Sequence, residues 1–66
     1  MNEIIDQRRA KWNNDCEVIL QFRLPFRVED ANAVIGSDLI RTFTIVKFLE
    51  RQGKLRKVQP NTYETI

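Results

Sequence analysis

Two glycines, Gly36 and Gly53, bracket a run whose apolar residues recur at helical spacing, and this bracketing constrains the fold more than any other feature of the chain. With Leu39 at zero on a helical wheel, Ile45, Leu49, Thr42, Val46, Leu39 and Phe43 fill one continuous arc of about 160°. The opposite arc holds Lys47, Arg51, Thr44 and Arg41 with the apolar Ile40 and Phe48, and it contains no acid. Asp38 is placed as an N-cap, where its carboxylate accepts a backbone N–H of the first turn. Gly36 before it and Gly53 after it can take the positive φ that helix ends require, and Lys54 sits at the negative end of the helix dipole. A helix over 38–51 is expected, with one face in a core and the other, basic and hydroxyl-bearing, in water or against a phosphate backbone.

The neighbouring segments extend the pattern. Val28 to Ile35 reads as a short helix, with Ala31, Val34 and Ile35 on one face and Glu29 and Asp30 in the first turn, where the dipole favours acids. A tight turn at Gly36-Ser37 then makes a helix-turn-helix candidate. After Gly53, Leu55 to Val58 and Tyr63 to Ile66 read as strands around a Pro60-Asn61 turn. With a loop of Gln59 to Thr62, the expected cross-strand pairs are Val58 with Tyr63, Lys57 with Glu64, Arg56 with Thr65 and Leu55 with Ile66. Two strands alone are marginal in water, so the hairpin needs the helices behind it.

Helix, turn, helix and basic hairpin together resemble the winged helix-turn-helix superfamily. A common pattern there has a glycine in the turn, a leucine near the end of the recognition helix, then an acid and a second glycine before the wing. Gly36, Leu49, Glu50 and Gly53 stand at those spacings, and Leu55 follows where the first wing strand often starts. The match covers Val28 to Ile66. It departs from the pattern at Leu39, Ile40 and Phe43, where family members often carry polar residues, and in the shortness of the wing. The resemblance implies an α+β, mostly helical fold: a three-helix core with a C-terminal β-hairpin wing, over residues 14–66. It also implies double-stranded DNA as partner, with Arg41, Thr44 and Lys47 at the major groove and Arg51, Lys54, Arg56 and Lys57 on phosphates.

Charge distribution agrees with that expectation. Residues 1–35 hold five basic and six acidic groups, whereas residues 36–66 hold six basic and three acidic, so the net of +2 is concentrated in the second half. At 66 residues the chain makes one small domain that buries only ~60% of its unfolded surface. The single cysteine, Cys16, excludes an internal disulfide and a multi-cysteine metal cluster, and reads as a small core residue. Histidine is absent, and no nucleophile motif or phosphate-cradling glycine loop appears. Adjacent acids such as Glu29 and Asp30 fit helix-start electrostatics rather than acid/base catalysis. An enzyme is therefore not expected, nor a cofactor or metal. No apolar run approaches the ~20 residues of a membrane span, and the polar, acidic start does not read as a signal peptide; a cytoplasmic or nucleoid-associated protein is expected.

The first half is less regular. Residues 2–24 follow helical spacing through Ile5, Trp12, Cys16, Ile19 and Phe22, but Asn13-Asn14-Asp15 interrupts with residues that prefer caps. A core helix over 15–23 is expected, ended by Pro25, with residues 1–13 as a separate helical extension or arm. That arm has three readings: a dimerisation or docking segment, a basic arm on DNA backbone, or a helix folded back with Trp12 as its anchor. Ile5, Trp12, Ile40 and Phe48 are the candidate contacts with a partner protein or a second copy of the chain. The function expected is a small DNA-binding regulator, of the economical kind used in phage or plasmid transcriptional control. Its alternative is an interaction module or inhibitor that docks on a larger complex through exposed apolar residues.

Overall fold

The computed structural model describes residues 3–66, with side chains from Gln7 onward. The order of elements is α1 (Glu3–Ile19), β1 (Phe26–Arg27), α2 (Val28–Ile35), α3 (Leu39–Arg51), β2 (Leu55–Gln59) and β3 (Thr62–Thr65). The fold is α+β and mostly helical: three helices pack against a small antiparallel sheet of order β1-β3-β2. Ile19, Phe26, Val28, Ala31, Ile45, Val46, Leu49, Leu55 and Tyr63, drawn from all six elements, form one buried cluster with Cys16 at its edge.

Local chemistry sets the ends of α2 and α3. The Asp38 carboxylate accepts the Arg41 backbone N–H at 2.7 Å, the expected N-cap bond. Asp30, in the first turn of α2, accepts the Arg27 N–H at 3.0 Å. Gly36 stops α2 in the left-handed region, with φ 65° and ψ 35°, and donates its N–H to the Asn32 carbonyl at 2.9 Å. Past α3, the Lys54 N–H bonds the Leu49 carbonyl and the Gly53 N–H bonds the Glu50 carbonyl, both at 3.0 Å. This reciprocal pair is a Schellman motif, and it needs the φ of 75° that Gly53 supplies.

The first helix departs from expectation. α1 is continuous through Asn13-Asn14-Asp15 and ends at Ile19 rather than Arg23, so the boundary expected after residue 13 falls inside it. Tertiary contacts outweigh the weak propensity of those three residues: Trp12 packs on α3 and Asp15 accepts a bond from it, as described below. The end comes early because the backbone tightens after Ile19, with Gln21 and Phe22 N–H groups bonding carbonyls three residues back. That turn brings Phe22 onto Phe26, ring centroids 4.4 Å apart and nearly parallel.

The hairpin also differs from its expected register. Leu55 pairs with Thr65, Arg56 with Glu64 and Lys57 with Tyr63, one residue away from the pairing inferred above, while Gln59 pairs with Thr62 next to the turn. An irregularity at Val58, between Lys57 and Gln59, absorbs the difference as a bulge does. The loop is reduced to Pro60 and Asn61, and Asn61 takes a positive φ of 62°. Burial explains the choice. This register keeps Leu55 and Tyr63 in the core and leaves Val58 and Ile66 outside, where the expected pairing gave both an apolar partner. The turn is fixed to α2 as well: the Asn61 side-chain amide donates to Glu29, and the Val28 N–H bonds the Asn61 carbonyl at 3.4 Å.

Candidate nucleic-acid interface

α3 buries Thr42, Ile45, Val46 and Leu49, a narrower arc than the wheel indicates. Leu39 and Phe43, expected inward, lie at its edge and are 51% and 47% exposed, because α1, α2 and β2 cover only the opposite side of the helix. Thr42 is fully buried, and its hydroxyl donates to Asn32 Oδ1 at 2.7 Å, which ties α3 to α2.

The outward side of α3 is a stripe at positions i, i+4, i+7 and i+11: Ile40, Thr44, Lys47 and Arg51. Ile40 is 82% exposed. The Thr44 hydroxyl donates back to the Ile40 carbonyl at 2.9 Å, so its proton is committed within the helix. Lys47 donates to Glu50 at 2.7 Å, and that carboxylate holds the ammonium pKa above its ordinary value. Arg51 is exposed in the last turn.

Arg41 is not part of this stripe. Its guanidinium turns toward α1, donating to the Asp15 carboxylate at 2.6 Å and lying 5.8 Å from the centre of the Trp12 ring. Lys11 reaches the same carboxylate from 3.3 Å. Asp15, 4% exposed, is thus a buried acid shared by two cations. Nothing in the sequence marked it for this, because its partner is 26 residues away.

Trp12 also meets Phe48 edge-on, with ring centroids 5.6 Å apart and planes at 71°. Trp12 thus packs on α3 of the same chain from within a continuous α1 whose residues 7–11 are exposed, and Phe48 is left 39% exposed. Trp12, Phe48, Phe43, Thr44, Lys47 and Arg51 border a shallow cleft of about 320 Å³ between α1 and α3. Ile5 lies in α1 but outside the residues whose side chains are described.

In the hairpin, Arg56 pairs with Glu64 across the strands, while Lys57 and Lys54 are exposed and have no acidic partner among the described residues. Of the seven positions expected to meet nucleic acid, Thr44, Lys47 and Arg51 share one face of α3. Lys54, Arg56 and Lys57 follow in the loop and strand beyond it, and Arg41 is spent on the fold. No described helix is long and apolar enough to cross a membrane. No family model, curated protein or solved structure matches the chain.

Proposed function

We propose that this chain is a small winged helix-turn-helix protein that binds double-stranded DNA, with α3 in the major groove and the β2–β3 hairpin against the backbone. The observation that carries the reading is the uncovered outward stripe of α3, Ile40-Thr44-Lys47-Arg51, which contains no acid and is followed by the exposed Lys54 and Lys57. The order of elements supports it, since a two-residue β1 pairs β3 and braces the hairpin against the helix-turn-helix. The short turn, tied to Glu29, makes a wing held in place rather than a long arm. In this reading the protein works on nucleoid DNA in the cytoplasm as a transcriptional regulator of phage or plasmid type.

The test is fluorescence anisotropy with a mixed-sequence duplex at about 50 and 200 mM salt, where each phosphate contact adds about −0.9 to the log–log salt slope. A combined Lys47→Ala, Arg51→Ala, Lys57→Ala variant should bind all sequences more weakly and show a slope shallower by about 2–3. Unchanged affinity and slope would remove α3 and the wing from the interface.

A second reading has its own observation. Leu39, Ile40 and Phe43 form an exposed apolar group on the first turns of α3, which also suits a protein-interaction module. Light scattering on the wild type and on Ile40→Ser distinguishes a self-associating face from a monomer.

A further inference from the structure

The outward stripe of α3 has two chemically distinct halves. Its first two turns present the Ile40 side chain and Thr44, beside the half-exposed Phe43. With the hydroxyl proton of Thr44 bonded to the Ile40 carbonyl, that residue offers a methyl group and an acceptor but no free donor. Arg41, the cation of these turns and the natural bidentate reader of guanine, is held by Asp15 at 2.6 Å and lies 5.8 Å from the centre of the Trp12 ring. The charged half, Lys47 and Arg51, comes only in the last two turns.

We infer, on the basis of the DNA-binding reading above, that α3 selects its site by apolar contact with the 5-methyl groups of pyrimidines in the major groove, while Lys47 and Arg51 hold the backbone. The 5-methyl of thymine is the apolar group a base edge shows in that groove, and 5-methylcytosine shows the same group on the other pyrimidine. Ile40, Phe43 and Thr44 supply matching apolar surface and no strong donor to a guanine edge. The neighbouring cations make the face complementary to a polyanion, which a purely apolar protein surface would not be. Shielding one methyl from water favours binding about threefold to fivefold.

The experiment starts from a pool of duplexes with a randomised centre, selected on the wild-type protein. The enriched sequence is then made in three forms: as selected, with every thymine replaced by uracil, and with every cytosine methylated at the 5-position. The expected result is a several-fold loss of affinity on the uracil form for the wild type, and a much smaller difference for Ile40→Ser. That variant alters a solvent-facing residue, and its fold is checked by circular dichroism. No gain on the methylated form assigns the contact to thymine, whereas a gain that Ile40→Ser abolishes assigns it to 5-methylcytosine as well. Equal wild-type affinities for the thymine and uracil forms, with no gain on methylation, overturn methyl reading while leaving DNA binding intact. Failure to retain any duplex at low salt overturns both. If Ile40→Ser turns a dimer into a monomer and leaves the thymine preference unchanged, the face is a self-association surface and the inference falls.

Discussion

Arg41 of α3 and Asp15 of α1 meet at 2.6 Å across 26 residues of sequence, and the Asp15 carboxylate is almost entirely out of water. The pair converts the most prominent cation of the helix face into an internal clamp. Removing Arg41 strands a buried acid with Lys11 as its remaining partner at 3.3 Å. Arg41→Ala should therefore cost about 2–4 kcal/mol, toward the low side of the fully buried case because Arg41 is partly exposed. Urea titration of Arg41→Ala, Asp15→Ala and the double variant measures the coupling. The two single losses should exceed the double loss by about 1 kcal/mol or more, and simple additivity would show that the clamp contributes nothing.

Thr42 tests the seam between α2 and α3. Its hydroxyl is inside the core and donates to Asn32 at 2.7 Å. Thr42→Val preserves the shape and removes the donor, leaving Asn32 half-buried and able to turn toward water. A loss of about 0.5–1.5 kcal/mol in urea-derived stability is expected. A variant as stable as the parent would mean that the bond fails to offset the cost of burying the hydroxyl.

Gly36 separates backbone strain from crowding. An added Cβ there has nothing within 4 Å, yet φ is +65°. Gly36→Ala should destabilise by about 1 kcal/mol through left-handed strain alone, and Gly36→Asn by less, since asparagine tolerates that region. Equal penalties in thermal melts would point to a cause other than the dihedral.

Cys16 gives the chain a pH dependence with a definite sign. Burial, then the neighbouring Asp15 carboxylate, raises the thiol pKa above its ordinary value. Below the unfolded thiol pKa, about 8.5, the thiol is neutral in both states and its contribution is fully present. As pH rises past that value the unfolded chain ionises first, and stability falls until the folded pKa is also passed. The urea midpoint should decline as pH rises above about 8, and Cys16→Ala should flatten that decline relative to wild type. Parallel curves for the two proteins would contradict a raised thiol pKa.

The ends of α2 and α3 were legible from their residues, whereas the course of α1, the hairpin register and the edges of the buried face of α3 were not. Asp38, Gly36 and Gly53 act through hydrogen bonds and dihedrals that close within a few residues, so α2 and α3 end where their caps dictate. The helical period likewise identified Thr42, Ile45, Val46 and Leu49 as the buried face of α3. Tertiary structure decided what depends on partners distant in sequence. Asn13-Asn14-Asp15 stays helical because Trp12 reaches Phe48 and Asp15 reaches Arg41. The hairpin slips by one residue because burying Tyr63 and Leu55 outweighs pairing Val58 and Ile66. Leu39 and Phe43 are left about half exposed because none of the described elements covers them. The candidate site divides the same way: Thr44, Lys47 and Arg51 followed from helical spacing, a local regularity. The withdrawal of Arg41 from that face follows from one ion pair that forms only when α1 packs against α3.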